Sequence, residues 1–289
     1  MASPAARFVG HLRLTHPFPS VLDGLVAAGA ALVAGGGGET AARLGISMVL
    51  LQASVGALND LIDAPHDAGH KPGKPIPAGL VTAPAARAIA ATAGIAGVVL
   101  AVPSGGPTVV LAGGLLLLGY AYDLWFKGTA WSWLPFAVAI PLFPTYGWLG
   151  AAGTVPGIWA ILLPTAVLAG AALALGNAAI DVERDRAAGI RSVATRLGRR
   201  DAARLGVLLV LVVCLLAFGS IAFAGATGLP WSAGVAVGAV LAIGGAVGVT
   251  APAPDRRERG WEVEAVGVAV LAGAWLGAMS AVGLTGAGG

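Results

Sequence analysis

Leu205-Gly-Val-Leu-Leu-Val-Leu-Val-Val-Cys-Leu-Leu-Ala-Phe-Gly-Ser-Ile-Ala-Phe-Ala224 runs for 20 residues without a charge. About 20 apolar residues in a helix cross the hydrocarbon core of a bilayer, so this stretch alone predicts a transmembrane helix. The same ruler, laid along the chain, marks about nine spans: 17–36, 40–60, 83–102, 106–122, 133–151, 156–180, 202–224, 229–250 and 262–284. Isolated strands cannot satisfy their backbone in lipid, and the runs show no alternation. The expected fold is therefore all-α: a polytopic membrane protein built as a bundle of about nine transmembrane helices.

Composition agrees. Of 289 residues, 57% are hydrophobic and 11% charged, with a mean hydropathy of +0.85. An ordinary soluble domain carries roughly a quarter charged residues, so water is not the main solvent here. Disorder is excluded too, since disordered chains are poor in apolar residues and rich in charge. Glycine is abundant (45 residues) without a G-X-Y period; in lipid, small residues let helix backbones approach closely. The single cysteine, Cys214, lies in the apolar run quoted above, which leaves no disulfide framework or metal–thiolate site. The N-terminus does not read as a cleavable signal peptide, and the C-terminus carries no anchor or retention signal.

The charges have a side. With the N-terminus inside, the inner segments are 1–16, 61–82, 123–132, 181–201 and 251–261. Together with Arg87 and Arg204 in the first turns of their helices, they hold all but one of the 17 Lys and Arg residues. Arg43 is the exception. The bias of basic residues toward cytoplasmic loops predicts a cytoplasmic N-terminus, in the inner (plasma) membrane of a bacterial cell. Of the 14 acidic residues only Glu39 falls clearly on the other side. The net charge of +3 thus belongs to a membrane face, and no nucleic-acid partner is expected.

On that face a pattern repeats. Asn59, Asp63 and Asp67 are spaced four and four; Asn177, Asp181 and Asp185 have the same spacing 118 residues later. At 100° per residue, positions i, i+4 and i+8 form one stripe on a helix, although Pro65 removes a helical hydrogen bond inside the first triplet. Two stripes in matching positions point to two halves of a single domain (1–289) facing a shared cavity. Magnesium is a hard ion that takes one or two carboxylates plus substrate phosphates, and cations for a diphosphate stand nearby at Lys71, Lys74, Lys127, Arg184, Arg191 and Arg196. Asp255-Arg256-Arg257-Glu258-Arg259 lacks any such pattern and reads as a solvated loop that helps to set orientation.

Asn59-Asp60-Leu61-Ile62-Asp63-x-x-x-Asp67, followed by Lys74-Pro75-Ile76-Pro77-Ala78-Gly79, resembles the first signature of the UbiA superfamily of intramembrane aromatic prenyltransferases. Asp181-x-x-x-Asp185-x-x-x-Gly189-Ile190-Arg191-Ser192, with Arg196-Leu197-Gly198, resembles the second. The resemblance spans both motifs (59–79 and 177–198) and the helices around them. It implies a helical bundle open to lipid beneath a cap of cytoplasmic loops. It also implies magnesium-dependent ionisation of an isoprenyl diphosphate to an allylic cation, and transfer of the prenyl group to an aromatic or other lipid-soluble acceptor. Asn59, Asp63, Asp67, Asn177, Asp181 and Asp185 become the magnesium-site residues by that likeness. Lys71, Lys74 and Arg191 become diphosphate contacts. Tyr122 and Lys127 match the family's Tyr-and-Lys loop element, Lys127 in a catalytic role. Two departures stand out: the five-residue step from Tyr122 to Lys127, and Asn177 where many members carry an acid.

Ten of the 18 aromatic residues lie between 120 and 148. Trp131 and Trp133 read as an interfacial belt; Tyr146 and Phe136, if turned inward, could wall the prenyl chain and stabilise a cation through π contact. Asp23 lies inside the first span, where a carboxylate is costly and points to function, and is a candidate to orient or deprotonate an acceptor. Two other readings stay open at this point. A terpene cyclase would use the same metal–diphosphate site without an acceptor. A secondary transporter would share repeated halves and intramembrane acids, though such sites tend to lie near the bilayer midplane. The partners expected are an isoprenyl diphosphate, a hydrophobic acceptor and membrane lipid, with no obligate protein partner.

Overall fold

The computed structural model describes residues 3–69, 71 and 73–285, and all of its regular structure is helical. Eight helices are long and apolar enough to cross a membrane. A bent pair, α1 (Pro4–Leu14) and α2 (Pro17–Val33), makes up to nine if counted as one span; the two meet at 49°. The protein is thus an integral, multi-pass membrane protein. The span expected at 17–36 is the one that does not stand alone. At 1.5 Å per residue α2 alone is about 25 Å long, short of the roughly 30 Å hydrocarbon core.

His16 makes the bend. It adopts φ +47°, a region few non-glycine residues enter, and it precedes Pro17, which cannot donate the hydrogen bond that would continue the helix.

The chain divides into two compact units. The first contains Met1–Leu32, Gly36–Trp125 and Tyr146–Gly153, hence α1, nearly all of α2, α3 (Gly37–Asp67), α4 (Ala83–Ala101) and α5 (Gly106–Ala121). Here α3 packs on α4 and α5. Buried serines join them: Ser47 Oγ donates to the Gly97 carbonyl at 2.6 Å and Ser54 Oγ to the Ala90 carbonyl at 2.6 Å. Gly97 is required at this seam, because a Cβ there would lie 2.8 Å from Leu51 Cγ. Arg43, the basic residue on the wrong side by charge bias, is also explained. Its guanidinium donates to the Leu100 carbonyl (2.7 Å) and to Ser104 Oγ (2.9 Å), where α4 runs out of partners for its last carbonyls.

The second unit contains Val33–Gly35, Phe126–Thr145 and Thr154–Gly289. It holds the first half of α6 (Leu134–Ala152), then α7 (Trp159–Ile180), α8 (Val182–Ala187), α9 (Val193–Leu197), α10 (Arg199–Phe223), α11 (Leu229–Gly248) and α12 (Pro254–Ala281). α7 packs on α10 and α12, and α11 on α12. The last seam is backbone against backbone: a Cβ on Gly260 would lie 2.6 Å from the Gly248 carbonyl carbon and 2.7 Å from Val249 N. Small residues take this place because lipid offers helices no hydrophobic drive to associate, and packing must supply it.

Candidate active site

The first motif closes α3. Pro65 does not end the helix, which continues through Asp67, so Asn59, Asp63 and Asp67 keep their shared stripe. Asp67 is buried, its Oδ2 has no hydrogen-bond partner among the described residues, and the Lys71 ammonium lies 3.6 Å from its Oδ1. Asp63 is half-buried one turn earlier.

Asn59 donates its amide N–H to Asp123 Oδ1 at 2.6 Å, which turns the amide carbonyl oxygen away from Asp123. Asp123 is buried in a π-helical turn, Tyr122–Phe126. Tyr122 is in the same turn.

Between Asn59 and Asp63 lies a residue that the spacing argument passed over. Asp60 is 3% exposed; it accepts from His16 Nε2 at 2.9 Å and from the Lys74 ammonium. One carboxylate therefore ties the α1–α2 bend and the Lys74-Pro75-Ile76-Pro77 loop to α3. Gly56 makes room, since a Cβ there would meet the His16 ring at 3.0 Å. Lys74, expected on the diphosphate, has its charge engaged by Asp60, whereas Lys71 stands beside Asp67.

The second motif is built differently. Asn177 sits in the last turn of α7, Asp181 is the joint between α7 and α8 (φ −105°, ψ 12°), and Asp185 lies on α8. The expected continuous stripe is broken at Asp181. Arg184 Nη1 donates to Asp181 Oδ1 at 2.9 Å, and the Asp185 amide returns to the Asp181 carbonyl at 2.9 Å. Beyond α8 the chain turns through Gly189 (φ +73°) into Arg191. Arg186, Arg191 and Arg196, with Gly189, Ile190 and Thr195, line an open cavity of about 440 Å³.

The charge run at 255–259 requires a correction. It is the first turns of α12, not a loop, and Arg257 is fully buried. Its guanidinium donates to the Ile180 carbonyl and to both oxygens of Glu183. Arg257 falls on the same helical stripe as Gly260, Glu264, Val268 and Leu271, but only the fold shows that this stripe is buried as far as the first turn.

The remaining candidates are dispersed. Tyr146 is wholly buried in the first unit with its hydroxyl 2.6 Å from Ser47 Oγ. Asp23 is half-buried on α2 and has no hydrogen-bond or ion-pair partner among the described residues. Lys127 is half-buried just past the π-helical turn, and Trp131 is 59% exposed.

Do these residues suit magnesium? Among the described residues no three His, Cys, Asp or Glu side chains form a preformed cage. Magnesium does not need one, because it is commonly held by one or two carboxylates, with phosphate and water completing the octahedron. The orphaned, buried Asp67 Oδ2 and the all-oxygen donor set suit such an ion.

The fold and these motifs define a membrane-embedded helical protein with two carboxylate motifs flanked by cations, the class of the intramembrane prenyltransferases. The UbiA prenyltransferase family model matches residues 24–266; the chain belongs to this family. It is 31% identical over 222 residues to a digeranylgeranylglyceryl phosphate synthase of Methanoregula boonei, covering 74% of each chain. A solved structure described for the biosynthesis of digeranylgeranylglyceryl phosphate synthase in membranes superposes with a TM-score of 0.67 at 16% identity, over 94% of this chain and 99% of the other. A UbiA homologue from Archaeoglobus fulgidus bound to GPP and Mg2+ gives 0.64 at 19% identity, over 74% and 78%. At these identities the structures testify to the fold.

Proposed function

We propose that this protein transfers a prenyl group from an isoprenyl diphosphate to an aromatic or other lipid-soluble acceptor, with magnesium as cofactor and release of diphosphate. The observation that carries the reading is the pair of carboxylate motifs, each flanked by cations, in a chain of this family. Asp63, Asp67, Asp181 and Asp185 would hold the metal, with the side-chain carbonyl oxygens of Asn59 and Asn177 as further donors. Bound there, magnesium supplies positive charge to the diphosphate as the allylic C–O bond breaks.

The protein's own part is electrostatic and steric. Lys71 and Arg191 add fixed positive charge for the leaving group, in surroundings where such charges act more strongly than in water. Lys74 ties its own loop to α3 through Asp60. The apolar helices keep water from an allylic cation that it would quench, and the prenyl tail, having no polar groups, needs only that apolar wall or lipid. Asp23, half-buried and without a partner among the described residues, is the candidate to orient or deprotonate the acceptor. The basic bias places both motif loops on the cytoplasmic face. The Methanoregula relative's name adds glyceryl phosphate lipids to the acceptors worth testing.

The decisive experiment incubates purified protein with C10 to C20 prenyl diphosphates and Mg2+, with and without phenolic and glyceryl phosphate lipid acceptors, and identifies the products by mass spectrometry. A prenylated acceptor is expected, formed only with Mg2+. A cyclic hydrocarbon formed without acceptor would replace the transferase reading by a cyclase, and absence of diphosphate release with every chain length would end both.

A further inference from the structure

Arg257 is the most heavily bonded fully buried charge among the described residues, and it lies outside both motifs. Its Nε and Nη2 donate to the Ile180 carbonyl at 3.3 and 2.7 Å, and its Nη1 and Nη2 to Glu183 Oε1 and Oε2 at 3.3 and 2.6 Å. Nη1 also reaches the Pro252 carbonyl at 3.0 Å. Arg199 supports the same carboxylate from α10, with Nε 3.2 Å from Glu183 Oε1.

These partners are informative by position. Ile180 is the last residue of α7 and Glu183 is in the first turn of α8. Only Asp181 and Val182 lie between them. A helix end leaves carbonyls without intrahelical donors and a partial negative charge, and a guanidinium there satisfies both. Arg257 does this for Ile180, and its planar fork grips Glu183 on the next helix. A single rigid group thus fixes the backbone on either side of Asp181, and with it the direction in which α8 carries Asp185.

Burying a guanidinium is costly, and its partner Glu183 has a side chain 57% exposed, so water weakens the attraction that would offset the cost. Stability alone is therefore a weak reason for an arginine at this point. We infer that Arg257 is a positioning residue for the second carboxylate motif, holding the break at Asp181 so that Asp181 and Asp185 meet metal and diphosphate in a fixed geometry. The inference rests on the metal-binding role proposed for those two aspartates. Residues that orient metal ligands from behind commonly change metal affinity by about 10- to 100-fold when altered.

The test measures the half-saturating Mg2+ concentration for diphosphate release, the KM for prenyl diphosphate and the thermal midpoint, on the full-length protein. Its variants are Arg257→Gln, Arg257→Lys and Glu183→Gln, with Asp181→Asn as reference. Arg257→Gln should raise the Mg2+ requirement about 10-fold or more, Glu183→Gln by less, and Arg257→Lys should recover only part of the loss, because an ammonium returns the charge without the planar fork. Should Arg257→Gln fail to fold, Glu183→Gln and Arg257→Lys still carry the comparison. A purely structural brace would lower the thermal midpoint and the amount of active protein while leaving the Mg2+ requirement unchanged, and that result overturns the inference. If Asp181→Asn also leaves the Mg2+ requirement unchanged, the metal reading of the motif falls and takes this inference with it. If Asp181→Asn shifts it and the Arg257 and Glu183 variants do not, only the role of Arg257 falls.

Discussion

Asp60 and its two partners show how much one side chain can organise at the residue scale. Asp60 has a side chain only 2% exposed, whereas those of His16 and Lys74 are 32% and 23% exposed. The asymmetry sets an order of mutational cost. Asp60→Asn leaves two donors that water can reach, but Lys74→Met leaves a buried carboxylate supported by His16 alone. Stranding a buried charge costs about 3–5 kcal/mol, so Lys74→Met should depress the thermal midpoint in detergent more than Asp60→Asn does. The reverse order would show that the ion pair does not organise the loop. Asp67 makes a different prediction, because its orphaned Oδ2 is proposed to face a metal. Asp67→Asn should slow Mg2+-dependent diphosphate release by about 100-fold or more with little change in the melting curve, a pairing that separates a functional carboxylate from a structural one.

At the scale of elements, the two motifs reach similar ends by unlike means. The first rides a helix that runs unbroken through Pro65 to Asp67; the second straddles a joint, with Asp181 between α7 and α8. In each, a cation secures the motif: Lys74 from within the first motif, on Asp60, and Arg257 from a distant stretch of chain, across Ile180 and Glu183. The α11–α12 seam bears on the second case, since α12 carries Arg257. Gly260 lies one turn beyond Arg257 and meets the backbone of Gly248 and Val249. Gly260→Val must push the helices apart, and overpacking of this kind costs about 1–3 kcal/mol. The variant should melt earlier and also show a raised Mg2+ requirement, because moving α12 moves the guanidinium. Gly273→Val, on the same helix with open space at its Cβ, is the control expected to do neither.

For the whole molecule, the outstanding question is which face of the membrane carries the motifs. In a Cys214→Ser background, a cysteine at exposed Ala188 should react with an impermeant maleimide only from the cytoplasmic side. One at exposed Glu39 should react only from the other side. Labelling of both from one side would overturn the orientation derived from the basic residues, and with it the assignment of both motif loops to the cytoplasm.

The nature of the solvent, the helical fold and the two carboxylate motifs with their flanking cations were legible in the chain itself. Each of these depends on local quantities: the length of an apolar run, the 100° step of a helix, the placement of charge along the sequence. What only the tertiary structure decided is which charges are buried against partners inside the protein and which stay nearer its surface. Arg257 and Arg259 stand two residues apart in one run of charges, yet the first is fully buried against Ile180 and Glu183 and the second is bonded to Asp255 at the surface. Asp60 and Asp63 stand three apart in one motif, and the former is closed by His16 and Lys74. A charge's solvation and partners depend on segments tens of residues away, 44 between His16 and Asp60 and 77 between Ile180 and Arg257. No helical period or local spacing contains that distance.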